Sequence, residues 1–275
     1  MPGPDFDPAD DLVLLEEAVR EAGHIARRFF GGPYKRWQKD KGSPVTEADL
    51  AIDAFLSERL RKARPDYGWL SEETEDDESR LKSRHTFIVD PIDGTLAFLR
   101  NKPEFTVCAA IARDGRPIAG VVFNPITDEC FRARIGGGAC CNGVRIEPSV
   151  RTDVAGCRML GDKPMFEHPA WSNSPNVPWP AMHVETRNSI AYRMVLVARG
   201  DFDAMMALSA KHDWDLAAAD IVLSEAGAEV TTHKGEIIRY NNAAPVQPSI
   251  MASGRELYPA LLARVKHLNL AGSRR

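Results

Sequence analysis

The sequence predicts an α+β protein in which helices flank sheets in both halves of the chain, and three observations carry that prediction. Apolar residues recur at helical spacing between Leu12 and Leu60, short β-rich runs begin at Phe87, and strand and helix patterns mix again beyond about residue 155.

Residues 1–8 read as a mobile tail that ends in an Asp7-Pro8 pair suited to the N-cap and first position of a helix. Leu12, Leu15, Val19, Ala22, Ala26 and Phe29 then step by threes and fours until Gly31-Gly32 stops the pattern. A polar loop rich in Lys, Gly and Pro leads to a second helix start at Thr46-Glu47-Ala48-Asp49, with Ile52, Phe55, Leu56 and Leu60 as its buried face. Four β-rich runs follow, Phe87–Val89, Phe105–Ile111, Ile118–Phe123 and Cys130–Ala133; the Asp-Gly and Asn-Pro turns between them predict an antiparallel meander. Helical patterns return at Ser189–Ala198, Trp214–Ala226 and Leu257–Leu268, and Pro164–Pro180 reads as a long surface loop. We place an N-terminal α+β half at 9–153 and a C-terminal α/β half at 154–275.

With 275 residues, 44% of them apolar and 27% charged, the chain has the balance of a soluble globular protein. Its 35 Lys and Arg against 39 Asp and Glu give a net charge of -4, so no basic field is available to hold nucleic acid. The five cysteines show no C-x-x-C spacing, no basic segment precedes an apolar core near the start, and the longest apolar run, Phe105–Ala112, is too short to span a membrane. These features predict a cytoplasmic protein with no membrane association.

The most informative stretch is Phe87-Ile88-Val89-Asp90-Pro91-Ile92-Asp93-Gly94-Thr95. An apolar strand is expected to end at Pro91, which has no N–H, and Gly94-Thr95 to open a helix, so that two carboxylates stand beside a helix N-terminus. Carboxylates so placed can share a hard cation, and the free N–H groups can meet a phosphate. Taken alone, the same residues also make an ordinary turn and cap. Asp49 likewise serves as the acidic member of a helix cap, Glu72 opens the acidic run 72–78, and Asp215 follows Trp214 at a helix start.

Together and in order, Ser43-Pro44-Val45-Thr46-Glu47-Ala48-Asp49, Ser71-Glu72-Glu73, Asp90-Pro91-Ile92-Asp93-Gly94-Thr95 and Trp214-Asp215-Leu216-Ala217-Ala218, with Glu225-Ala226-Gly227-Ala228 behind them, resemble the inositol monophosphatase family. The resemblance implies a layered α-β-α-β-α sandwich, related to fructose-1,6-bisphosphatase, and a Mg²⁺-dependent, Li⁺-sensitive phosphatase acting on a small phosphorylated metabolite, as a homodimer. It implies that Glu72, Asp90 and the Ile92 carbonyl hold one Mg²⁺ and that Asp90, Asp93 and Asp215 hold a second, with a third recruited near Glu72. It also places Thr95 and Asp49 on the attacking water, with the Thr95 hydroxyl turned toward Asp49 and the Gly94 and Thr95 amides on the phosphate. Attack is then direct, without a phosphoenzyme.

Substrate choice is carried by later segments. Inositol-specific members have a Glu seven residues before the W-D aspartate, where this chain has Leu208. Glu104-Phe105-Thr106-Val107 resembles the 3′(2′),5′-bisphosphate nucleotidase branch, whose substrate is 3′-phosphoadenosine 5′-phosphate, although Leu96-Ala97-Phe98 departs from that branch's pattern. Inositol 1-phosphate and histidinol phosphate are the alternatives. The family pattern puts Arg187, Ser189 and Arg193 near the substrate, with the two arginines able to pair a second phosphate. A member of the fold acting as a regulatory binding protein is the competing class. Gly136–Gly143 lacks the G-K-[ST] ending of a phosphate loop and reads as a turn, and the seven His show no zinc-ligand spacing.

Overall fold

The structure, a computed structural model, describes residues 7–38, 44–168, 171 and 178–270. Most of the expected tail, Ser43 of the first motif, and part of the Pro164–Pro180 segment lie outside the described residues.

The first part of the chain forms α1 (Pro8–Phe29), β1 (Arg36–Gln38), β2 (Pro44–Thr46), α2 (Glu47–Ala63), β3 (Gly68–Ser71), β4 (His85–Asp93), α3 (Thr95–Leu99), β5 (Thr106–Arg113), β6 (Arg116–Asn124), β7 (Glu129–Arg134), β8 (Gly138–Cys141) and β9 (Val144–Arg145). Asp7 caps α1 by accepting the Ala9 N–H at 2.8 Å, and Pro8 occupies the first turn, where its missing donor costs nothing. The expected meander is the centre of a seven-stranded sheet ordered β3-β4-β5-β6-β7-β8-β9, antiparallel except for β3 beside β4. Gly136–Gly143 is a turn and strand of this sheet, and Glu225 holds it by accepting the Gly136 and Gly138 N–H groups at 2.9 and 2.8 Å.

One expectation fails at Pro91, because β4 runs through it to Asp93. The reason lies in the register: β3 pairs with β4 only as far as Val89, so beyond that point β4 has a neighbour on one side alone. On the other side a bulge opposite β5 falls between Asp90 and Asp93, a position where proline removes no ladder bond.

The rest of the chain forms β10 (Arg158–Leu160), α4 (Lys163–Phe166), β11 (His183–Glu185), α5 (Ile190–Ala198), β12 (Ala204–Ala207), β13 (Lys211–His212), α6 (Asp213–Ala226), β14 (Ala228–Thr231), β15 (Val246–Gln247), β16 (Ile250–Gly254) and α7 (Tyr258–Val265). Five of these strands make a mixed sheet ordered β11-β10-β12-β16-β14. The Pro164–Pro180 segment is not only a surface loop: Phe166 and Trp171 are buried, and both rings meet Trp179 edge-on at 5.1 and 5.4 Å. Burial of two aromatic rings against a third that is half-buried outweighs the loop-forming prolines around them.

Three apolar clusters define the layers. Leu15, Val19, Ile52 and Leu56 of α1 and α2 pack on Phe87, Val89, Ile111 and Phe123 of the large sheet. The other face of that sheet, with Ile88, Ala110 and Val122, meets Val195, Leu216 and Val222 of α5 and α6, which also cover Leu160, Met205 and Ala252 of the smaller sheet. On the far side, Met159, Met206 and Met251 meet Leu261 and Val265 of α7. The order is α-β-α-β-α. The contact of α6 with β6 is close because Gly120 has no side chain: a Cβ there would lie 2.8 Å from the Ala218 carbonyl oxygen. Among the described residues no helix is long and apolar enough to cross a membrane.

Candidate active site

The site forms where β3, β4, α3, α5 and α6 converge. The β3–β4 register pairs Ser71 with Val89, which brings Glu72 beside Asp90, and the Glu72 N–H donates to the Val89 carbonyl at 3.3 Å. Asp215 stands in the first turn of α6, where its Oδ2 accepts the His212 N–H at 2.7 Å. One carboxylate oxygen from each of Asp90, Asp93 and Asp215 lies within 4.8 Å of the others. Glu72, Ile92, Gly94, Thr95 and these three aspartates line one cavity of about 230 Å³. Gly94 turns the chain from strand to helix at φ +98°, and a Cβ there would press on the Glu104 carbonyl and the Ser189 amide at 3.1 Å.

The electrostatics are those of a cation site. Both oxygens of Asp90 are buried and have no hydrogen-bond partner. Burial, and then the charges of Glu72, Asp93 and Asp215, push its carboxyl well above the ordinary range. Burial and the Asp93 charge push Asp215 up to about 8. Asp93 is pushed up to about 6 by burial, against the hydrogen bonds it accepts from Ser189, Ala191 and Ile190. A buried, unpartnered carboxylate among like charges is costly unless a cation or proton neutralises it, so this donor set fits a hard divalent ion.

Asp49 is the cap the sequence allowed, buried near the cavity but not among the residues that line it. Its Oδ2 accepts the Thr46 N–H at 2.8 Å in a capping box, while Oδ1 is buried and without a partner. Burial, reinforced by the Glu72 charge, raises it to about 6 despite the bonds from Thr46. The Thr95 hydroxyl donates to the Ile92 carbonyl at 3.2 Å rather than to Asp49, which departs from the expected orientation. α3 begins at Thr95, so its threonine and the Ile92 carbonyl belong to one tight turn and meet first.

The later segment is arranged differently from the substrate-facing role expected of it. Ser189 is fully buried and its hydroxyl donates to Asp93 Oδ2 at 2.6 Å, behind the carboxylates. Arg193 is buried too, with Nε on the Arg187 carbonyl at 2.6 Å and Nη2 3.6 Å from Asp162. Arg187 pairs with Glu185 at 2.7 Å and Glu104 at 3.7 Å. Of this segment it is Asn188 that lines the cavity, with Pro44 and Leu96 on other sides. The sequence pattern placed the segment that holds Asn188 near the substrate without choosing Asn188 itself, and it gave Pro44 and Leu96 no site role.

The family model of the inositol monophosphatase family matches residues 7–270. The inositol-1-monophosphatase of Caulobacter vibrioides is 33% identical over 263 residues, which cover 91% of this chain and 98% of that one. Nus factor SuhB of Escherichia coli is 28% identical over 230 residues, 82% of this chain and 85% of its own. Among solved structures, the extragenic suppressor protein SuhB of Bartonella henselae is similar with a TM-score of 0.79 and 28% identity, covering 94% of this chain and 99% of that one. The IMPase of Thermotoga maritima gives 0.79 and 26% over 93% and 96%. The chain belongs to the inositol monophosphatase family, phosphatases that act on small phosphorylated substrates.

Proposed function

We propose that this protein hydrolyses a small phosphomonoester in a Mg²⁺-dependent reaction at the Asp90 cavity. The observation that carries the reading is Asp90 itself, whose two buried oxygens have no partner although Glu72, Asp93, Asp215 and Asp49 all act on it. Glu72, Asp90 and the Ile92 carbonyl would hold one ion, and Asp90, Asp93 and Asp215 a second. When bound there, Mg²⁺ lowers the pKa of water and offsets the charge of the phosphate. Thr95 orients the attacking water: its one proton goes to Ile92, so Oγ1 accepts a water proton. Asp49, whose buried Oδ1 has no partner and whose carboxyl is raised to about 6, would be the base for the water's other proton. The first-turn N–H groups at Gly94 and Thr95 meet the phosphoryl oxygens as charge builds on them.

For the substrate we favour 3′-phosphoadenosine 5′-phosphate over inositol 1-phosphate. Leu208, partly buried against the apolar cluster around Met206 and Leu261, offers no acceptor to a ring hydroxyl. Arg187 adjoins Asn188 and its carbonyl accepts from Arg193, and a second phosphate would take the place of Glu104, Glu185 and Asp162 on the two guanidinium groups. Initial rates on these two substrates, histidinol phosphate and fructose 1,6-bisphosphate at equal Mg²⁺ test this. A kcat/KM highest for inositol 1-phosphate reverses the substrate choice and leaves the hydrolysis standing. The relatives named Nus factor SuhB support a second, binding role for the fold, which turnover of none of the four substrates would favour. The working unit is read as a homodimer, which sedimentation of the purified protein tests.

A further inference from the structure

We infer that the N-terminus of α5 clamps Asp93 so that only one of its oxygens can meet a cation, and that Ser189 is the positioning residue that thereby sets the preference for Mg²⁺ over Ca²⁺. This rests on the reading of Asp93 as a metal ligand. A carboxylate offers about four lone-pair sites on its two oxygens. Asp93 Oδ2 accepts Ser189 Oγ and the Ala191 N–H, both at 2.6 Å, and Oδ1 accepts the Ile190 N–H at 3.2 Å. One site remains, and it is on Oδ1.

The clamp is rigid. Ser189 spends its one proton on Asp93, so Thr106, whose Oγ1 lies 3.1 Å away, is the donor to it, and the Tyr192 N–H donates to the same hydroxyl at 2.9 Å. Ser189 and Thr106 are fully buried, every residue of α5 is buried, and the Arg193 guanidinium ties back to the Arg187 carbonyl. The carboxylate therefore cannot swing to present both oxygens without breaking buried hydrogen bonds. Asp90 has no protein donor and Asp215 Oδ2 takes the His212 N–H, so of the three aspartates Asp93 is the one most firmly fixed. Mg²⁺ demands a near-octahedral shell at about 2.0–2.1 Å, which one-oxygen carboxylates fit, whereas Ca²⁺ gathers about 6–8 oxygens and often takes a carboxylate through both. A carboxylate held to one oxygen denies Ca²⁺ that extra ligand.

The test is calorimetric titration of chelator-stripped protein with Mg²⁺ and with Ca²⁺, comparing wild type with Ser189→Ala, Ser189→Thr and Thr106→Val, alongside thermal melts. Ser189→Ala should narrow the ratio of the Ca²⁺ to the Mg²⁺ dissociation constant about tenfold, the scale on which groups behind a ligand act. Ser189→Thr should restore it, and Thr106→Val, nearly isosteric in its strand, should shift it the same way by less. A purely structural cap would lower the melting temperature and leave the ratio alone. An unchanged ratio in Ser189→Ala, or in Thr106→Val should the alanine variant not fold, overturns the clamp. Wild-type protein that binds neither cation overturns instead the metal reading beneath it.

Discussion

Asp90 and Asp93 are buried and Asp215 is half-buried beside them, so like charges crowded together make the site's residues sensitive to pH in a definite direction. Asp215 is raised to about 8, and Asp93 and Asp49 to about 6, from an ordinary 3.8. Through that window the cation-free folded chain holds protons that the unfolded chain has released, so stability is fully present below about pH 4 and is lost as pH rises toward 8. Chelator-treated protein should therefore melt at a lower temperature at pH 8 than at pH 6, and Mg²⁺ should remove most of the difference, because it replaces the protons it displaces. A cation-free melting temperature that rises over the same interval contradicts this. Thr95→Ala should lower kcat with little change in Mg²⁺ affinity, since the side chain places a water rather than an ion; a defect confined to KM counts against that role. The residue types of the site were legible in the sequence because the motifs keep fixed spacing. The direction in which Ser189 points was not, because its partner Asp93 lies 96 residues away and only the packed fold brings them together.

At the scale of elements, local rules did most of the work where caps and periodicity agreed, as in α1 and α2, and failed where a neighbour decided. Pro91 is the instructive case: the rule that proline ends a strand assumes pairing on both sides, and β4 has lost one neighbour by that point. Phe166 and Trp171, buried against Trp179, show the converse, with burial overriding loop composition. Two substitutions test the element contacts. Thr46→Ala removes the capping box of α2 and should cost about 1 kcal/mol in urea unfolding. Gly120→Val places branched carbon atoms where even a Cβ lies 2.6 Å from Ile221 Cγ2, and it should cost about 1–3 kcal/mol or more by forcing α6 off β6. An unfolding midpoint equal to wild type for Gly120→Val would mean that α6 is free to move.

For the whole molecule, the decisive feature is that the site is assembled from separate layers. Glu72, Asp90 and Asp93 come from the large sheet, Asp215 comes from α6, and the donors that fix Asp93 come from α5 in the layer between the sheets. Motif order announced this family architecture, whereas the mutual placement of the layers depends on contacts such as Gly120 against Ala218 that no local pattern encodes. The claim at the centre is that these carboxylates are gathered to hold cations for phosphate hydrolysis. It is tested most directly by following inorganic phosphate release from 3′-phosphoadenosine 5′-phosphate and inositol 1-phosphate against Mg²⁺ concentration, for wild type and Asp90→Asn. Wild-type turnover should rise from nothing with Mg²⁺ and vanish with EDTA, and Asp90→Asn should fall by at least about 10³-fold, on the scale of losing a major electrostatic stabiliser. Equal rates in metal-free buffer, or an Asp90→Asn variant as fast as wild type, would contradict it.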